Sequence, residues 1–183
     1  MNTALIIMAA VVFVGLLIAL TPNVIEYVET VKIRGSQQDV YDAIRFQSDL
    51  MQWSAWPAET DSACRQVGTD GEVGATTEFI DKKGKLFGHQ TVSEIAPCRF
   101  IRLTMTSKGP PHVPLLDFHI LPEGERDTKV LLHFRNTISR PFHVILRLAG
   151  VVKWTREMHL KDLDGLKRFI ERSEDYAGRH VTR

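Results

Sequence analysis

The chain has 183 residues and a formal net charge of +1, from 23 basic and 22 acidic side chains. That balance lacks the basic excess of a phosphate-binding domain, so no nucleic-acid partner is expected. Two cysteines, Cys64 and Cys98, are too few for a disulfide framework or a structural zinc site. They are read as free thiols, with pairing left open to an oxidising compartment.

The chain opens on an apolar run. No charged side chain precedes Glu26, and eleven Leu, Ile, Val or Phe residues lie between Ala4 and Leu20. They favour insertion into a bilayer by roughly 3 to 7 kcal/mol. As a helix, residues 3–20 span about 27 Å, enough for a thin hydrocarbon core. Pro22 then stops the helix. Residues 1–23 are therefore expected to be a transmembrane anchor, with Ala4, Val12 and Leu20 at its start, middle and end. The rival is a cleaved signal peptide. That reading wants a basic n-region and an A-x-A-like site, whereas no Lys or Arg precedes the run and Ala19-Leu20-Thr21 matches poorly. A buried core helix would not be apolar on every face. Glu26 and Glu29 precede Lys32 and Arg34, so the flank carries no signal for orientation.

Residues 24–33 read as a first strand, with Val28, Val31 and Ile33 as its apolar positions. Gly35-Ser36 breaks it. Ser36 is the expected N-cap of a short helix with Val40, Ala43 and Ile44 on one face, and a second short helix follows near 48–52. Residues 53–57, Trp-Ser-Ala-Trp-Pro, read as an aromatic loop. A weak strand is expected at 60–67. Stronger ones follow at 75–81, 86–95, 100–106, 115–121 and 129–136, all short, alternating and separated by glycine or proline turns. Gly68, Gly71 and Gly74 recur at regular spacing, but a strand follows them where a phosphate cradle needs a helix N-terminus. They read as turn residues.

From 142 to 174 the period becomes helical. One stripe holds Ile145, Leu148, Val152, Leu163, Leu166 and Ile170. The opposite face holds Arg147, Lys153, Glu157, Lys161, Asp164 and Arg168. A single long helix is predicted, with Gly150 and Gly165 as soft points. A strand, two short helices, about six strands and one long helix make an α+β domain, an antiparallel sheet curved around the last helix with a cavity between them. Residues 24–174 form that domain, and residues 175–183 are expected to be a flexible tail.

Several stretches resemble the helix-grip fold of the START-like, SRPBCC superfamily, which includes polyketide cyclase/dehydrase-type proteins. They are residues 40–44 (Val-Tyr-Asp-Ala-Ile), 53–56 (Trp-Ser-Ala-Trp), 71–74 (Gly-Glu-Val-Gly), 91–97 (Thr-Val-Ser-Glu-Ile-Ala-Pro) and 163–171 (Leu-Asp-Gly-Leu-Lys-Arg-Phe-Ile-Glu). Their order and spacing carry the resemblance, which covers residues 24–174. It implies a cavity for a hydrophobic molecule. The superfamily spans carriers and some enzymes, so the fold does not name the activity.

No nucleophile elbow, P-loop, C-x-x-C or tight histidine ligand pair occurs, and neither a metal nor a cofactor is expected. Asp117 is expected opposite His133 on the outer face of a hairpin, as a surface pair. His159 is different. It falls inside the apolar stripe, one turn after Thr155, where an unpaired polar group would cost about 1–3 kcal/mol. Either it bonds to a strand within the core, or Thr155 and His159 line the cavity. Trp56, Phe79, Met105, Phe118, Phe134, Thr155 and His159 are the expected ligand-pocket residues. Trp53 and Trp56 are candidates for its mouth or for a membrane interface, or pack beneath the short helices. The 109–114 loop is a candidate gate or a plain connection.

Three functions are carried forward. The leading one is membrane-anchored binding of a hydrophobic small molecule or lipid. The second is a cyclase or dehydratase using His159 with a carboxylate or tyrosine partner that sequence does not identify. The third is a protein-interaction module with a collapsed cavity. Only about five residues separate the apolar run from Glu26, so the domain sits close to the bilayer and a membrane-derived ligand is favoured.

Overall fold

The computed structural model describes residues 3–180 except 108, 110, 111 and 125. Its elements are α1 (Thr3–Leu20), β1 (Val24–Arg34), α2 (Gln37–Arg45), α3 (Gln47–Trp53), α4 (Trp56–Glu59), β2 (Ala63–Val67), β3 (Thr76–Ile80), β4 (Leu86–Ala96), β5 (Phe100–Ser107), β6 (His112–Pro122), β7 (Asp127–Ile138), α5 (Phe142–Leu148) and α6 (Val151–His180). The seven strands form one sheet in the order β1-β7-β6-β5-β4-β3-β2, with every pair antiparallel. β2 to β7 are a meander in chain order. β1 departs from it and pairs with β7, from Val24 opposite Thr137 to Arg34 opposite Asp127.

The alternation of β7 shows how the sheet is made. Val130, Leu132, Phe134 and Ile138 are buried, while Leu131, His133, Arg135 and Thr137 alternate with them toward the outer face. The inner face packs on Leu163, Leu166 and Ile170 of α6 and on Val40 and Ile44 of α2. Register shifts at Phe79/Ile80 and Val92/Glu94 interrupt the ladders, and such irregularities bend a sheet. In β1 the inward set is Ile25, Tyr27, Val31 and Ile33, and Val28, expected among the apolar positions, is 51% exposed.

The helix starts follow local chemistry. The Ser36 hydroxyl accepts from the Asp39 amide at 3.1 Å, capping α2 as expected. The start of α3 is capped from a distance. Asp70 accepts from the Gln47 amide at 2.6 Å and from the Ser48 hydroxyl at 2.6 Å. The glycine series therefore serves a turn that carries this cap. On the outer sheet face Asp117 does lie opposite His133. The two bond in opposite directions, Asp117 to Arg102 at 2.7 Å and His133 to Glu26 at 2.7 Å. Both cysteines are free.

Two expectations change. Trp56-Pro57 does not stay in a loop but opens α4, with proline in its first turn where its missing N–H costs nothing. The single helix from 142 is two helices. Gly150 takes φ +75°, a left-handed conformation that ends α5 before α6 begins. The break resets the helical phase. Ile145 and Leu148, placed on the buried stripe by a continuous period, are 56% and 80% exposed, and α5 buries His143 and Val144 instead. α6 continues past 174 to His180, and residues 181–183 of the expected tail lie outside the described residues.

Gly165 sets how closely α6 approaches α3. A Cβ built there would lie 2.1 Å from the carbonyl oxygen of Trp53, a backbone atom that cannot rotate away. Gly165→Ala should lower stability by about 1–3 kcal/mol through overpacking. A thermal melt of the detergent-solubilised chain should show a drop of several degrees, and an unchanged midpoint would contradict this close approach.

Candidate functional site

The sheet and the helices enclose a cavity of about 300 Å³. It lies at one end of the sheet. Ile25 near the start of β1 and Phe134, Asn136 and Ile138 near the end of β7 line one side. The end of β5 supplies Met105, and β3 and β4 supply Phe79, Phe87 and Gly88. The helical wall is Trp56 of α4, Leu146 of α5, and Val152, Trp154 and Thr155 of α6. The lining is mostly aliphatic and aromatic, with a few polar groups. Of these, Thr155 returns its hydroxyl to the Val151 carbonyl at 2.9 Å, and Ser107 and His112 bond each other at 3.1 Å. The Asn136 Oδ1 is buried without a hydrogen-bond partner among the described residues.

Trp56, Phe79, Met105, Phe134 and Thr155 thus come together around one space. Phe118 does not line it. It faces the same side of β6 as Pro114, which does, but four residues further along, about 13 Å at strand rise, and is buried in the main core. His159 does not line the cavity either. It lies one helical turn beyond Thr155, and its ring sits 4.9 Å from that of Phe134 and 6.1 Å from that of Trp56. Trp53 and Trp56 have different fates. Trp53 is buried and donates its indole N–H to the Ala43 carbonyl at 2.9 Å, while Trp56 lines the cavity and meets Trp154 edge-on at 5.3 Å. In the 109–114 segment, His112 to Pro114 belong to β6, and residues 110 and 111 lie outside the described residues.

His159 has the tyrosine partner that the sequence did not identify. Its Nδ1 lies 2.9 Å from the Tyr27 hydroxyl. Nε2 is buried without a partner among the described residues, as an N–H or a lone pair according to the tautomer. Burial pushes the imidazole down to about 3 and raises the Tyr27 phenol well above its usual value. The pair is neutral at physiological pH, and its imidazole packs beside the rings of Phe134 and Trp56, which line the cavity. It is built as a core hydrogen bond.

Asp162, one turn further along α6, went unnoticed in the sequence, although its i+3 spacing from His159 places it on the same face. It is 6% exposed. Its Oδ1 accepts from the Ala55 amide at 2.7 Å and the Ser54 hydroxyl at 3.0 Å. These bonds fasten the α3–α4 junction onto α6 and so fix Trp56 at the cavity. Burial pushes the carboxyl up to about 7, against the opposing pull of these donors. Among the described residues no cluster of three or more His, Cys, Asp or Glu is arranged to hold a metal.

Comparison with solved structures fits this architecture. The chain resembles SA2116 from Staphylococcus aureus, a protein of unknown function, at 14% identity and TM-score 0.64, over 83% of this chain and 96% of that one. It resembles norcoclaurine synthase from Thalictrum flavum, in complex with dopamine and hydroxybenzaldehyde, at 11% identity and TM-score 0.59, over 81% and 87%. It also resembles CalU16 from Micromonospora echinospora at 16% identity and TM-score 0.50, over 85% and 82%. The chain has the helix-grip fold. No family model matches it. No curated protein matches its sequence either.

The two buried titratable groups make stability depend on pH in opposite senses. His159 has a folded value below its ordinary 6.5, so its contribution is complete above pH 6.5 and is lost as pH falls toward 3. Asp162 has a folded value above its ordinary 3.8, so its contribution is complete below pH 3.8 and is lost as pH rises through 7. The upper limits are about 5 kcal/mol for His159 and about 4 kcal/mol for Asp162. Urea midpoints across pH 4 to 8 should show a flatter acid limb in His159→Gln and a flatter neutral limb in Asp162→Asn. Parallel profiles for wild type and either variant would contradict the assignment.

Proposed function

We propose that this protein binds a hydrophobic small molecule or lipid in the cavity between sheet and helices, with α1 anchoring it to a membrane. The observation that carries the reading is the position of the apolar cavity. Ile25, which lines it, stands five residues after Leu20, where α1 ends. α1 is 18 residues long, apolar enough to cross a bilayer, and its side chains are exposed throughout nearly all its length. A signal sequence passes the same test of length and composition. The poor match of Ala19-Leu20-Thr21 to a cleavage motif supports the anchor, residues 1–23, ahead of a domain of residues 24–174.

A volume of about 300 Å³ is at the small end of drug-sized ligand sites. The lining favours an apolar or aromatic body. The unmatched Asn136 Oδ1 favours a ligand that brings one hydroxyl or N–H donor, because a buried acceptor left alone costs about 1–3 kcal/mol. Dopamine and hydroxybenzaldehyde, held by a synthase of the same fold, are ligands of this general kind. The buried Tyr27–His159 pair is neutral and lies outside the cavity lining, which supports carriage over catalysis by that pair. The open cavity argues against an interaction module whose interior has collapsed.

Native mass spectrometry of the full chain, released from detergent, should show a bound hydrophobic molecule on the wild type. Met105→Trp, which fills the cavity from β5, should abolish the adduct while circular dichroism stays native. An adduct retained in full by that variant would place the ligand elsewhere, and a wild type with no adduct would overturn the carrier reading.

A further inference from the structure

α5 presents an apolar face to solvent. Phe142, Ile145 and Leu148 follow at three-residue spacing and are 41%, 56% and 80% exposed. Leu148 is more exposed than any other large apolar side chain among the described residues, those of α1 included. A lone exposed leucine needs no explanation, but a stripe of three does. Two further segments at the same end add to it. Trp154, which lines the cavity, is 42% exposed, and Leu86, beside the cavity residue Phe87, is also 42% exposed. Exposed lysines border these residues, Lys83 and Lys85 in the β3–β4 turn and Lys153 on α6.

The chain itself says what covers this face. Arg147 of α5 donates to the carbonyl of Val24 at 2.9 Å, and the Ile138 amide at the end of β7 donates to the Asn23 carbonyl at 2.9 Å. α5 is therefore tied to the root of α1. Thr21 to Asn23 are the only residues between α1 and β1, and the step from Leu20 to Val24 reaches at most about 14 Å. With α1 in a bilayer, α5 lies at headgroup level. An apolar stripe with a tryptophan and bordering lysines is the composition that settles into an anionic interface.

We infer that α5, with Trp154 and Leu86, docks the cavity mouth onto the surface of the bilayer that holds α1, so that a ligand passes between bilayer and cavity without crossing water. The inference rests on the anchored reading of α1. It is tested on the full chain carrying Cys64→Ser, Cys98→Ser and Leu148→Cys, labelled at position 148 with an environment-sensitive dye. The protein is reconstituted in phosphatidylcholine/phosphatidylglycerol vesicles with or without brominated acyl chains. The comparison site is Thr69→Cys in the same background, in the β2–β3 turn at the far end of the sheet. Docking gives a blue-shifted emission at 148 and at least twofold quenching by bromolipid, with neither at 69. Protein that resists alkaline extraction yet shows no quenching at 148 overturns the docking and leaves the anchor standing. A blue shift without quenching, together with cross-linking between Leu148→Cys copies, overturns it in favour of a second chain on this face. Extraction by alkali overturns the anchor and this inference with it.

Discussion

Eleven residues of β1 pair with β7, from Val24 opposite Thr137 to Arg34 opposite Asp127, about a hundred residues away in sequence, and this pairing decides which parts of the chain share an end of the domain. Because the strands are antiparallel, the start of β1 meets the end of β7. The start of β1 is where α1 joins, and the end of β7 is where α5 begins. The cavity, the apolar helix and the exposed face of α5 are neighbours through one hydrogen-bonded ladder. A register slip of one residue would turn Ile25, Tyr27 and Ile33 outward and dismantle the site along with the core.

α6 carries a second constraint. Its buried face is not purely apolar, since it includes His159 and Asp162 between Met158 and Leu163. Each polar group is tied to a different element, His159 to β1 through Tyr27 and Asp162 to the α3–α4 junction. The helix is held in rotation by two directional contacts where apolar packing alone would tolerate slippage. One consequence reaches the site. Trp56 stands at the cavity because Asp162 fastens the chain just before it, so a residue that lines nothing shapes the lining.

Local patterns were legible wherever the physics was local. The hydroxyl cap at Ser36, the inward alternation of β7 and the glycine turn at 68–74 each depend on residues a few positions apart. The same alternation placed Phe79, Met105 and Phe134 on the inner face and set Asp117 opposite His133. It could also have singled out Asn136, the polar residue at an inward position between Phe134 and Ile138. It could not separate Phe118 from Phe134, because both face inward and only distance along the strand decides which reaches the cavity. The periodicity of α6 ran through Gly150 without registering that one residue at positive φ resets the phase, and so buried Ile145 and Leu148 on paper.

The sequence by itself determined an apolar N-terminal helix, an antiparallel sheet followed by an amphipathic helix, and a polar residue, His159, on that helix's buried face. Those follow from composition and from periods of two and 3.6, which a reader of the chain can count. The tertiary structure decided that His159 bonds Tyr27 and stands outside the cavity lining, that α5 turns its apolar stripe to solvent, and that the cavity lies beside the root of α1. These outcomes depend on contacts across more than a hundred residues, set by strand pairing and by one backbone turn, and no local pattern records them.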